Sequence, residues 1–294
     1  MSDTLQRFVF DHLDARGAIV SLKDSCRSIQ ETHHYPQPLA ALLNQFAAAA
    51  CLLRDSVKID AAVTIQFRSA GAIELMMADC MADRKIRAIA EYDHELLPAG
   101  GQIHLNDIAD DAVMAITITP TEGERYQGVV PIEHATLEQC LEDYFVRSEQ
   151  LPTWFRLLAD DEQAVGIAIH ALPKEKVLDA DQTTEHFSRL QVLLKSLSSE
   201  EALSLESESI LTRLFHEEAC RLFEGVSVEF GCECSLEKSI AAIISLGKEE
   251  TTALIAEQQE EGNDAFTVDC HFCFQRYLIP HTDIESLLES PQAS

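Results

Sequence analysis

The sequence predicts an α+β fold: an N-terminal α+β domain and a small C-terminal domain joined by a helical linker. Three observations predict it. Up to about residue 171, strand-like alternation and helix-like periodicity mix without the regular repeat of a βαβ series. From Lys174 to Glu224 the chain has neither Pro nor Gly, and its leucines recur at helical spacing. Beyond Val226 a short unit carries four of the nine cysteines in two tight pairs, Cys232-x-Cys234 and Cys270-x-x-Cys273. The expected boundaries are residues 1–174 for the first domain, 175–226 for the linker and 227–294 for the C-terminal domain.

The first domain opens with RFVF and AIVSL, read as short strands broken at Arg16-Gly17. Asp24 or Ser25 is placed to cap a short helix ending before His33-His34-Tyr35-Pro36. A long helix starts at Pro38, where a missing N–H does no harm. Strands follow at Ala62–Arg68, Ile73–Ala78, Lys85–Tyr92 and Val113–Thr119. Val63, Ile65 and Phe67 share one face of the first, and Ile86, Ala88 and Ala90 one face of the third. TPTEGERYQGVVP (119–131) reads as a strand end, a Gly-bounded turn and a second strand. Thr136–Ser148 is an amphipathic helix with Leu137, Leu141 and Phe145 on one side, and Ala164–Ala171 is a further strand.

In the linker, Leu190, Leu194 and Leu197, then Leu211, Leu214 and Phe215, predict two helical faces. The polar, acidic stretch SLSSEEALSLESES (196–209) separates them as a break. The C-terminal domain reads as helices at Leu236–Leu246 and Glu249–Gln259, divided by Gly247 and closed by Gly262. Strand, tight turn and strand over Phe266–Ile279 follow, with Cys270 and Cys273 flanking the turn, and a last helix begins near Thr282 or Asp283.

The formal net charge is −28, from 50 acidic and 22 basic side chains. Such a balance opposes nucleic acid, where affinity comes from Lys and Arg displacing counterions, and opposes an anionic membrane surface. The most apolar run, Pro38–Leu53, contains Asn44 and Gln45 and is too short to span a bilayer, so it is expected to be a buried core helix. No secretory signal is visible, and a cytoplasmic location is expected. In that reducing compartment nine cysteines are not a structural disulfide set.

Zinc takes four thiolates tetrahedrally, and cysteines one or two residues apart on a turn can aim both sulfurs at one ion. Cys232, Cys234, Cys270 and Cys273 are therefore the predicted ligands of one zinc ion per chain in the reduced state, in a domain whose core is weak unaided. Glu233, His271 and His281 are competing ligands, but four sulfurs complete the site alone. Cys26, Cys51, Cys80, Cys140 and Cys220 stand singly and read as buried apolar residues. Metal-bound sulfurs are thiolates, the form that oxidants attack, and each close pair has a disulfide partner at hand. Two other readings exist. One is a thiol–disulfide oxidoreductase using Cys270 and Cys273, although such motifs open helices. The other is a zinc ribbon that binds nucleic acid, which the charge opposes.

The four cysteines, with YPQP (35–38), ITPTEGERYQGVV (118–130) and LEDYFVRSEQLPT (141–153), resemble the 33-kDa heat-shock protein family of bacterial redox-regulated holdase chaperones over essentially the whole chain. The resemblance implies an N-terminal substrate-binding domain, a helical linker and a C-terminal zinc domain that acts as redox switch. It implies a protein that is not an enzyme, inactive as a reduced zinc-bound monomer. Oxidation would form Cys232–Cys234 and Cys270–Cys273 disulfides, release zinc, unfold the C-terminal region and yield a homodimer that holds unfolding client proteins without ATP. The chain has no Walker-type Gly-rich loop with Lys. Candidate client-binding residues are Leu190, Leu194, Leu197, Leu211, Leu214 and Phe215, which read equally as core contacts. Two features depart from the family: the 35 residues between the pairs (235–269) are more than expected, and Phe274 follows Cys273 where Gly is frequent. No chemistry attaches to TEGERYQG (121–128).

Overall fold

The computed structural model describes residues 3–97, 100–172 and 180–289; the expected boundary at 174/175 lies outside them. The chain divides into two compact units, Met1–Gly231 and Cys232–Ser294.

The first unit is built on two sheets. One has the order β10-β1-β2-β9-β8, from Cys220–Leu222, Thr4–Phe10, Ala15–Leu22, Ala164–Ala171 and Thr153–Ala159, all antiparallel. The other runs β12-β5-β4-β3-β6-β7, from Glu229–Phe230, Lys85–Tyr92, Ile73–Cys80, Ala61–Arg68, Val113–Pro120 and Tyr126–Val130. Helix α2 (Gln37–Ser56) packs against strands of both, and 13 of its 20 residues are buried, which makes it a core helix on nearly every side. Its alanine run, Ala47–Ala50, is fully buried. The polar intruder Asn44 is satisfied by donating Nδ2–H to the Asp160 carbonyl at 2.9 Å.

Three local readings are corrected by tertiary context. The first hairpin turns at 11–14, and Gly17 lies inside β2. A Cβ there would drive into the Phe8 ring and come within 2.5 Å of the Ala168 carbonyl oxygen, so the glycine serves close packing. Helix α1 (Asp24–His33) is not capped by Asp24 or Ser25. The Asp3 carboxylate, more than 20 residues upstream of them, accepts the N–H groups of Lys23, Asp24 and Ser25 at 2.6, 2.9 and 2.7 Å. The helix expected over 136–148 is α3, Leu137–Tyr144, capped by Thr136, and it loosens into a wider π turn at Phe145–Glu149. β8 was not anticipated; it follows Pro152 and carries Trp154 and Arg156 on its less buried side.

The segment expected as helix, break, helix holds three helices: α4 (Ala180–Lys195), α5 (Ser199–Ser204) and α6 (Ser207–Phe215). The acidic break contains α5 because Ser198 accepts the Glu201 N–H at 3.2 Å, while its hydroxyl and the Glu201 carboxylate pair at 3.1 Å. Leu190, Leu194, Leu197, Leu211, Leu214 and Phe215 are all buried, none more than 8% exposed. They cover Phe8, Phe10, Ile19, Ile167 and Ile169 on the sheet face opposite α2. After β10 the chain stitches both sheets: β11 (Val226–Ser227) pairs with β1, and β12 pairs in parallel with β5.

His170, at the end of β9, is 5% exposed, and its Nδ1 lies 2.9 Å from the Thr153 hydroxyl. Burial, aided by the Arg16 charge, lowers its pKa to about 4. The native state thus keeps a neutral imidazole where the unfolded chain binds a proton below about 6.5. The contribution is complete above that value and is lost as pH falls from about 6.5 to about 4, amounting to roughly 3 kcal/mol. Melting temperature against pH should fall less steeply through this window in His170→Asn than in the parent; equal slopes would contradict the buried neutral ring.

The second unit contains α7 (Leu236–Ile244), α8 (Lys248–Glu260), β13 (Ala265–Asp269), β14 (Arg276–Pro280) and α9 (His281–Glu289). Its apolar core cluster, among the described residues, is Ile243, Ile255, Phe266, Ile279 and Ile284.

Candidate metal centre

Two short backbone features aim the four thiols. Cys232 and Cys234 lie on the approach to α7, which Ser235 fixes by accepting the Lys238 N–H at 3.2 Å. Cys270 and Cys273 lie on the turn of the β13–β14 hairpin, as the spacing predicted. That turn is closed by Cys270 N–H to the Gln275 carbonyl (2.9 Å) and Phe274 N–H to the Cys270 carbonyl (2.8 Å). Below it, Arg276 forks onto the Asp269 carboxylate at 2.7 and 2.8 Å.

The four sulfurs lie within 4.8 Å of one another, although the pairs are far apart in sequence. The Cys232–Cys270 sulfurs are 3.6 Å apart and the Cys234–Cys273 sulfurs 3.5 Å apart. A zinc–sulfur bond of about 2.3 Å gives a tetrahedral edge of about 3.8 Å, whereas a disulfide is about 2.05 Å. The thiols are thus spaced to share an ion, and no disulfide joins any of the nine cysteines. Burial pushes the Cys270 thiol up and the Cys273 thiol up to about 12. Four half-buried sulfurs this close together resist ionising together unless a cation compensates them, so the donor set fits a thiophilic dication.

The competing ligands fall away. His281 is buried elsewhere, with Nε2 3.1 Å from the Gln258 amide oxygen and its ring against Phe266. Glu233 is exposed and lies 3.7 Å from the Lys238 ammonium; His271 is exposed on the turn. The single cysteines Cys26, Cys51, Cys80 and Cys140 are buried and Cys220 is half-buried. Burial raises Cys26 strongly and Cys220 to about 12, and a hydrogen bond with Cys80 is the main cause that raises Cys51. Thiols that are buried and raised in this way are poor nucleophiles.

Tyr277 was missed at the sequence level. Its hydroxyl donates to the Cys234 sulfur at 3.2 Å, and this bond raises its pKa to about 12. The available signal was strand alternation, since Tyr277 lies two residues from buried Ile279 on β14. Phe274 also acquires a physical meaning. Its φ is 54°, in the left-handed region that Gly occupies without penalty, and it is 55% exposed. Phe274→Gly should relieve this strain, worth about 1 kcal/mol, and slow amide exchange across β13 and β14. Faster exchange would show that the phenyl ring contributes more than the backbone costs.

Comparison with known proteins agrees with the cysteine pattern. A family model described as Hsp33 protein matches residues 3–280. The 33 kDa chaperonin of Pseudomonas fluorescens (strain SBW25) is 42% identical over 286 residues, 97% of this chain and 93% of the relative. That of Pseudomonas aeruginosa (strain UCBPP-PA14) is 40% identical over 97% of this chain and 94% of its own. The crystal structure of the 33 kDa chaperonin (heat shock protein 33 homolog) from Thermotoga maritima shares the fold, with TM-score 0.79, 21% identity and coverage of 97% and 98% of the two chains. With a match across almost its full length and relatives above 40% identity, the chain belongs to the Hsp33 family.

Proposed function

We propose that this chain is a redox-regulated, ATP-independent holdase chaperone, latent when reduced and switched on by oxidation of its four clustered cysteines. The observation that carries the reading is the four-sulfur cluster in a unit whose apolar core cluster, among the described residues, has five side chains. Membership of a family whose relatives are named chaperonins supports it.

In the reduced state Cys232, Cys234, Cys270 and Cys273 hold one zinc ion, which keeps the sulfurs as thiolates and ties the two ends of the second unit together. Tyr277 donates a hydrogen bond to the Cys234 sulfur and tempers its reactivity. Peroxide accepts two electrons from each cysteine pair and is reduced to water, leaving Cys232–Cys234 and Cys270–Cys273 disulfides and freeing the metal. The second unit then loses its main source of stability.

Clients, in this reading, are partly unfolded proteins that bind the apolar face now covered by α4–α6. Leu190, Leu194, Leu197, Leu211, Leu214 and Phe215 are buried in the latent form, so they and the sheet beneath become available only when the helices lift. The reduced protein is monomeric, the oxidised one a homodimer, and the setting is the cytoplasm. Among the described residues no helix is long and apolar enough to cross a membrane.

The test is aggregation of a heat-unfolding client, such as citrate synthase, with reduced and with peroxide-treated protein. Suppression by the oxidised form alone is expected, with one equivalent of zinc released and the two disulfides mapped by mass spectrometry. Equal activity in both states would sink the switch. Crossed disulfides, Cys232–Cys270 and Cys234–Cys273, would replace the proposed pairing.

A further inference from the structure

A cavity of about 580 Å³ opens in the first unit where α2 ends, among β1, β2, β9 and the β4–β5 turn. Its size lies in the range that takes small ligands. Its lining runs against the composition of the chain. Acidic side chains outnumber basic ones 50 to 22 overall, yet five of the lysines and arginines face this one cavity against two aspartates.

Two of the five are already neutralised. Arg7 meets Asp55 at 2.8 Å, and Arg54 meets Asp60 at 3.0 Å. Arg16, Lys58 and Arg84 have no carboxylate within 4.0 Å among the described residues. Each is placed by backbone rather than by chance. Arg16 stands between Val9 and His170 in the cross-strand row of β1, β2 and β9, so it rises from within the sheet. Lys58 follows the last turn of α2. Arg84 holds φ at 66° on the β4–β5 turn, where Gly or Asn would sit with less strain. The carbonyl end of α2 counts for about half a negative charge, too little to cancel an excess of three (five cations less two aspartates). Within a cleft such an excess concentrates anions locally, whatever the charge of the distant surface.

A smaller cavity of about 230 Å³ shares Arg16, Ser56, Val57 and His170 with the first and has Tyr144 and Phe145 on its wall. The composite is a cationic chamber with an aromatic annex.

We propose that the larger cavity is a binding site for the diphosphate group of a small ligand, held by Arg16, Lys58 and Arg84. Three unpaired cations match a diphosphate, whereas a lone carboxylate would leave two of them unanswered. Guanidinium forks suit phosphate oxygens, and a lysine supplies a point charge alongside. The group can belong to inorganic pyrophosphate or to a nucleoside diphosphate, whose base would enter the annex against Tyr144 and Phe145.

Isothermal titration of the full-length, reduced, zinc-loaded protein with pyrophosphate, ADP and acetate at fixed ionic strength tests this. One diphosphate site per chain is expected, with no acetate binding. Arg16→Gln and Lys58→Gln should each weaken it at least about tenfold. Binding of ADP tighter than pyrophosphate assigns the site to nucleotides; equal or weaker binding assigns it to the inorganic ion. The absence of both heat and a rise in melting temperature with either diphosphate would overturn the proposal. So would undiminished affinity in Lys58→Gln, an exposed side chain whose change leaves the core intact. The outcome is independent of the redox reading.

Discussion

Stripping zinc from the reduced chain is expected to unfold the second unit while the first stays folded. Ordering a residue costs roughly 1–2 kcal/mol in backbone entropy alone. Against the residues of this unit stand, among those described, one cluster of five buried apolar side chains and one two-stranded hairpin. A structural zinc contributes about 10–16 kcal/mol in small peptides, as much as the roughly 5–15 kcal/mol that stabilises a whole domain. A chromogenic chelator under reducing conditions, followed by hydrogen exchange, reads the result directly. Amides of α7, α8 and the β13–β14 hairpin should exchange almost at once, and those of α2 and β3 should remain protected. Cys270→Ser should move the unit the same way. A second unit that keeps its protection without metal would mean that its small core suffices, and the proposed trigger would have nothing to release.

The second large effect concerns the helical cover. Phe215 is 1% exposed, edge-on to Phe10 at 5.2 Å and stacked near Phe8 at 6.3 Å. Truncating such a buried ring costs about 3–5 kcal/mol, and the loss falls on the interface between α6 and the sheet. Phe215→Ala is therefore expected to release α4–α6 without oxidation and to make the reduced, zinc-loaded protein suppress client aggregation. Val192→Ala, at a position 68% exposed on α4, should remain latent like the parent. If α4–α6 exchange freely in Phe215→Ala and the protein still holds no client, the binding surface lies elsewhere.

What could be read from the sequence divides along physical lines. Periodicity located most strands of the first unit and the buried character of α2, because burial leaves its pattern in consecutive residues. The clustering of Cys232, Cys234, Cys270 and Cys273 was legible because cysteine spacing reports the reach of a turn. Tyr277 was not, since its contact with Cys234 depends on how β14 folds back beside a segment 43 residues away. The Asp3 cap of α1 and the role of Gly17 were missed for the same reason: each answers to a partner distant in the chain. α5 was missed differently. Its capping signal, Ser198 with Glu201, was present but hidden in an acidic stretch that reads as a break. The order of zinc and disulfide is what the family resemblance implies; geometry leaves it open, since sulfurs of different pairs also lie 3.5 and 3.6 Å apart.

The strands on either side of the helical cover constrain how it can move. β9 ends at Ala171 and β10 begins at Cys220, both in the same sheet, and the stitch at 226–230 then ties the chain to both sheets. α4–α6 are therefore a span with two abutments, not an arm on a hinge. A span lifts only as far as its slack allows, and the reach of slack chain grows as roughly the square root of its length. In the proposed active state the opening beneath it would be a slot, passable to an extended polypeptide and too low for a folded domain. Selection for unfolded clients would then follow from headroom as much as from greasiness, and shortening the span should narrow the range of clients before it weakens the hold on any of them.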